Sequence, residues 1–170
     1  LAAGFRDEQI IVVPHGVDIE TFYLISESEK KNIRDKYKIE SDDFVLTNIG
    51  AMTQNKGVED LIAAYGILKK KNKNLKLILK DQSNLYDRGA NNPIKNMHKS
   101  KFNQKYKIFN DQMYKDMIII SENLNFREIR NIYSITDCYV SPYKAEGFNL
   151  TPLEAAACGT QIVVTDGGPT

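Results

Sequence analysis

From Phe44 onward, short apolar runs alternate with segments of helical period. "DFVLTNIGAM", "LKLILK", "DMIIIS", "DCYVSPY" and "QIVVTD" are strand-sized, and "KGVEDLIAAYGILKKK", "NFREIRNIYSI" and "TPLEAAAC" lie among them. In the first of these helical segments Val58, Leu61, Ile62, Tyr65 and Leu68 fall at i, i+3, i+4, i+7 and i+10. That spacing marks one apolar helix face, and the lysines after it suit the negative end of the helix dipole. Continuous apolar strands separated by amphipathic helices call for a parallel sheet covered on both faces. The expected fold class is therefore α/β, Rossmann-like, a three-layer α/β/α domain. Such sheets bind ligands beyond the carboxyl ends of their strands, at the topological switch point. Two loops stand there as candidates, "GAMTQNKG" and "AEGFN".

Elsewhere the rhythm is weaker. "QIIVVPHGVD", Gln9 to Asp18, reads as a short strand ending in a proline turn. "SESEKKNIRDKYKI" reads as a solvated helix with Ser28 as its N-cap. Residues 83–116 read as an insertion, rich in Asn, Lys and Tyr and without clean periodicity, holding a loop and a polar helix.

A chain of 170 residues suffices for one domain with a real core. With 23 Lys and Arg against 22 Asp and Glu, no global basic field advertises nucleic acid. The lysine-rich stretches "KKKNKNLKLILK" and "KNMHKSKFNQKYK" accordingly read as solvated faces, despite Phe102, Tyr106 and Phe109 in or beside them. No apolar run approaches the roughly 20 residues of a membrane span. Cys138 and Cys158 lack metal-ligand spacing and read as reduced, buried thiols of a cytoplasmic protein. With only His15 and His98, a multi-histidine metal site is not expected. The start at Leu1 and the stop at "TDGGPT", directly after a strand-like run, read as the ends of an excised piece of a larger protein.

Chemistry concentrates in "EGFNLTPLEAAACG". Thr151, Pro152 and Glu154 fit a capping box, with threonine at N-cap, proline at N1 and glutamate at N3. The alternative reading makes Glu154 a ligand contact. Gly159 is the expected helix stop. Glu146 precedes any capping position, and is either a solvated loop acid or a group facing the hydroxyls of a ligand. Gly147 and Asn149 tolerate positive φ, so the loop can fold tightly and leave helix amides free for an anion. Lys56, at the start of another helix, is either a surface lysine or a point charge for that anion. "GAMTQNKG" is neither a Walker A nor a GxGxxG pattern. His15 reads as a turn residue.

Taken together these segments resemble the donor-binding, C-terminal-type domain of retaining GT-B glycosyltransferases of the group 1 family. "VVPHGVDIETF" is similar to the family's Pro-Asn-Gly-Val-Asp turn, "NIGAMTQNKGVEDLIAAY" to its Gly-Arg-Leu…Lys-Gly unit, and "SPYKAEGFNLTPLEAAACGTQIVVTDGG" to its E-x7-E signature. The resemblance covers residues 1–170 as one such domain, apart from about 83–116. It implies transfer of a hexose from a nucleotide sugar, a UDP- or GDP-sugar above all, to a glycan, lipid or protein acceptor held by a separate N-terminal domain. It implies retention of configuration, no cofactor and no metal. Lys56 and Glu146 then carry catalysis, with Lys56 on the diphosphate and Glu146 on the donor sugar. Gly147, Phe148, Asn149, Leu150 and Thr151 cradle the diphosphate, and Glu154 holds the ribose hydroxyls. Alone, such a piece is expected to transfer little or nothing. Family members often work at a membrane.

Departures from the pattern put parts of this in question. Ala51 stands where the family carries arginine, which removes half of a cationic pair; Lys80 is the candidate substitute. "LKDQSN" replaces a glycine-rich turn, Asn149 replaces glycine and His15 replaces asparagine. The loss at Ala51 motivates an alternative, a degenerate domain that binds nucleotide sugar without efficient transfer.

Overall fold

The computed structural model describes residues 4–86 and 89–168. Five parallel strands, β1 (Phe44–Ile49), β2 (Leu75–Lys80), β3 (Met117–Ile120), β4 (Cys138–Ser141) and β5 (Gln161–Val164), form one sheet in the order β3-β2-β1-β4-β5. The strands carry apolar residues toward both faces, and helices cover both, as the apolar runs require. One face packs Leu46, Leu77 and Leu79 against α2 (Val58–Lys69), α4 (Asn91–Lys99) and α6 (Asp111–Lys115). The other packs Val45, Ile78 and Tyr139 against α1 (Glu27–Lys36), α7 (Phe126–Ser134) and α8 (Leu150–Ala157).

The chain leaves β1 toward β2 on one side, and β4 lies on the other, so the switch point falls between β1 and β4. Their ladder is short, pairing Leu46 with Cys138 and Thr47 with Tyr139. Beyond it side chains replace backbone pairing. Asn48 Nδ2 donates to the Val140 carbonyl at 2.8 Å. The buried Tyr139 hydroxyl donates to Thr151 Oγ1 at 2.8 Å and sits 3.2 Å from the Ile49 carbonyl oxygen. Burial pushes this hydroxyl up to about 12, so it remains a neutral donor. The strands diverge there, which opens a crevice at their carboxyl ends.

Several sequence expectations change. The run Ile10 to Val13 belongs to no strand, and Ile11 and Val12 are 85% and 86% exposed. Strand propensity alone makes no ladder, and neither sheet edge, β3 or β5, pairs with this run. Ser26, not Ser28, caps α1: it accepts from Glu29 N–H while Glu29 reaches back to the Ser26 amide. Leu68 is exposed, and Gly66 takes its place on the buried face of α2.

Residues 83–116, of which 87–88 lie outside the described residues, carry α3 (Ser83–Tyr86), α4, α5 (Lys101–Tyr106) and α6. Ala90, Ile94, Met97, Phe109 and Met113 from this segment enter the main core. Polar residues between them hid the helical period of α4, whose inner face is Pro93, Ile94 and Met97.

Asp81 anchors this segment to the sheet. Burial opposes its charge, but Ala90 N–H, Ser83 N–H, Ser83 Oγ and Ser121 Oγ all donate to it and hold its carboxyl below the usual range. Asp81→Ala leaves those donors without their acceptor and should cost about 2–4 kcal/mol in urea unfolding. Because the folded value is depressed, the stabilisation is complete above the unfolded value of about 4 and disappears as pH falls through the folded one. The gap between Asp81 and Asp81→Ala proteins should therefore narrow at acid pH; a gap independent of pH would contradict the assignment.

Candidate functional site

The loops after β1 and β4 flank the switch point, and they are bound into one unit. The Asn55 carbonyl accepts from Lys144 N–H at 2.7 Å and Ala145 N–H at 3.3 Å. Gly57, at φ 66°, closes the first loop against Pro142 of the second. Between them a cleft of about 320 Å³ is lined by Ile49, Gly50, Ala51, Lys56, Gln82, Glu146 and residues 148–151.

Lys56 and Glu146 meet across this cleft as an ion pair, with side chains 28% and 14% exposed. A carboxylate so placed is hostile to an anion, and Lys56 neutralises it. The second wall is the start of α8. Asn149 takes φ 68° as its N-cap, where asparagine is among the better tolerated residues. Its side chain turns to Ser141 Oγ at 3.2 Å rather than to the helix amides, so no side chain caps α8. The helix dipole and uncapped amides of that first turn face the cleft. Chemically, this arrangement suits an anionic ligand carrying a polar group toward Glu146.

Glu154 departs from the capping-box expectation. The helix starts one residue earlier than Thr151, and Glu154 lies in its second turn. There it accepts a 2.8 Å hydrogen bond from the buried Tyr133 hydroxyl. Burial raises its carboxyl above the ordinary value, and the Tyr133 hydrogen bond works against that rise. Thr151 spends its hydroxyl on Tyr139 and Asn149, not on a cap.

The structure thus brings Lys56, Glu146, Phe148, Asn149, Leu150 and Thr151 to one cleft, while Gly147 and Glu154 stand outside its lining. Gly147 needs no positive φ. Lys80 is not there either: it is buried, its ammonium donates to the Asp81 carbonyl, and burial lowers its pKa. The neutral Gln82 lines the cleft with Ala51 instead. Sequence reasoning missed Tyr133, Tyr139 and Gln82, whose roles rest on contacts between distant elements. It also took His15 for a turn residue, yet its ring lies 4.7 Å from that of Phe148.

Fold and site define the class, a doubly wound α/β domain with its cleft at the switch point. The chain belongs to the glycosyl transferases group 1 family, which matches residues 29–170. Mannosylfructose-phosphate synthase of Agrobacterium fabrum is 26% identical over 95% of this chain and 34% of its own length. D-inositol 3-phosphate glycosyltransferase of Paenarthrobacter aurescens is 28% identical over 95% of this chain and 36% of its own. The chain therefore spans about a third of these relatives. Anabaena Alr3699/HepE, solved in complex with UDP and glucose, shares the fold at a TM-score of 0.72 and 22% identity. That match covers 99% of this chain and 41% of HepE. The GT-B fold expectation is borne out. Among the described residues no helix is long and apolar enough to cross a membrane.

Proposed function

We propose that this chain is the donor-binding half of a glycosyltransferase that moves a hexose from a UDP- or GDP-sugar to a glycan, lipid or protein acceptor with retention of configuration. The observation that carries the reading is the convergence of Lys56 and the uncapped α8 start on one cleft, opposite Glu146. As the bond between the sugar's anomeric carbon and the diphosphate breaks, its electron pair goes to the distal phosphate oxygen. An acceptor hydroxyl bonds to that carbon and passes its proton to an oxygen of the departing phosphate. Lys56 and the amides near Phe148 to Thr151, Gly147 included, meet the charge left on the phosphate. Glu146 leaves Lys56 for the sugar hydroxyls, and Glu154, one turn down the helix, reaches the ribose. The proposal assigns no metal and no cofactor, a cytoplasmic setting, and an acceptor site on a separate N-terminal domain.

A second reading, binding without efficient transfer, is favoured by one specific observation. Lys56 is the one cation lining the cleft among the described residues, and Ala51 and Gln82 add no charge. The test is sugar transfer by the intact protein with labelled donor, compared with Ala51→Arg. The main proposal expects turnover by the unmodified protein, with the anomeric configuration of the donor kept in the product. Donor binding with negligible turnover, restored by Ala51→Arg, would establish the degenerate reading. An inverted product, or robust transfer by residues 1–170 alone, would sink the assignment of a donor half in a retaining enzyme.

A further inference from the structure

The balanced net charge conceals a strong separation. Between Lys69 and Lys107 lie twelve Lys and Arg and two Asp, leaving eleven basic residues against twenty acidic ones elsewhere. Lys70, Lys71, Lys99, Lys101, Lys105 and Lys107 are all exposed, and none forms an ion pair among the described residues.

The helix in the middle of this patch is built inside out. On α5 the buried residue is Asn103, whose side chain accepts from Phe109 N–H at 2.6 Å and donates to the His98 and Phe109 carbonyls at 3.2 Å. Phe102 and Tyr106, four residues apart on one face, are exposed, with ring centroids 4.9 Å apart and planes tilted by 51°. A helix serving only its own core would turn those rings inward. Lys70 Nζ donates to the Tyr106 carbonyl at 3.1 Å, which brings the lysine-rich end of α2 beside the ring pair. Exposed Ile67 lies one turn before Lys70 and Lys71.

We propose that this surface docks on an anionic phospholipid bilayer, with the Phe102–Tyr106 pair entering the headgroup boundary and the lysines meeting lipid phosphates. Aromatic rings flanked by lysine suit that boundary, where one end of a side chain is apolar and the other wet. Nucleic acid fits less well. The two rings lie tilted against each other with Lys105 Nζ 5.0 Å from the Tyr106 ring centre, not as parallel platforms for successive bases, and the named cations are all lysine, without the planar fork of arginine. The inference stands independently of the donor-site proposal.

Co-sedimentation with vesicles tests it, using phosphatidylcholine alone and phosphatidylcholine with a quarter phosphatidylglycerol. Binding should require the anionic lipid and weaken with salt. Lys101→Glu with Lys105→Glu should weaken it roughly 25-fold or more. Phe102→Ser with Tyr106→Ser should weaken it without changing surface charge. Lys31→Glu with Lys36→Glu, the same charge change on α1, should leave it close to unchanged. Equal binding to both vesicles, no binding to either, or indifference to the ring substitutions would overturn the proposal. So would a single-stranded oligonucleotide that binds this surface when the anionic vesicles do not.

Discussion

Gly57→Ala should destabilise the chain by about 2–4 kcal/mol, read as a shift in the urea or thermal midpoint. Two causes add. Gly57 sits at φ 66°, a left-handed conformation that costs an L-residue roughly 1–2 kcal/mol. A methyl group there would also overlap the Pro142 carbonyl oxygen and stand 2.8 Å from the carbonyl carbon, and both are backbone. The two cleft loops would have to separate, and Lys56 and Glu146 ride on those loops. Ligand binding should fall with stability for that reason. Gly147→Ala supplies the contrast: its φ is ordinary, nothing lies within 4 Å of the added carbon, and the change should stay within about 0.5 kcal/mol. Equal effects at the two positions would mean that the loops do not touch as described.

The second large effect concerns charge in the cleft. Lys56→Ala should weaken binding of a nucleoside diphosphate by about 1.5–3 kcal/mol, roughly 10- to 100-fold in Kd. The substitution removes the cation and also strips Glu146 of its partner, leaving a largely buried carboxylate facing the anion. Glu146→Gln should act in the opposite sense on the free diphosphate, because it releases Lys56 to the phosphate and removes the repulsion. For a whole nucleotide sugar Glu146→Gln should lose that gain, since the sugar hydroxyls exchange a charged carboxylate for the single, weaker acceptor oxygen of an amide. If both substitutions weaken the free diphosphate alike, Glu146 contacts the phosphate side and does not face the sugar.

Much of this architecture is legible from residue order. Strand-sized apolar runs and the period of α2 are enough for a doubly wound sheet, because only a parallel sheet covered on both faces hides such strands. The loops at the switch point follow from the same logic. What escaped depends on partners far along the chain. Ile10 to Val13 has strand propensity but no ladder, and α4 shows only three inward residues among amides and lysines. Glu154 fits capping grammar three residues after Thr151, yet the chain enters α8 through a left-handed Asn149, two residues before that threonine. Tyr133 from α7 then claims the carboxylate. No spacing rule within one segment could reveal a bond to a different helix. Lys56 and Glu146 were each legible as candidates; their pairing across 90 residues was not.

The most direct test of the account is a calorimetric titration of the chain with UDP, GDP and ADP, repeated on Lys56→Ala and Glu154→Ala proteins whose folding has been verified. One nucleotide should be selected and both substitutions should weaken it, which also names the base of the donor. Binding to none of the three, or binding indifferent to both substitutions, would contradict a donor site in this cleft.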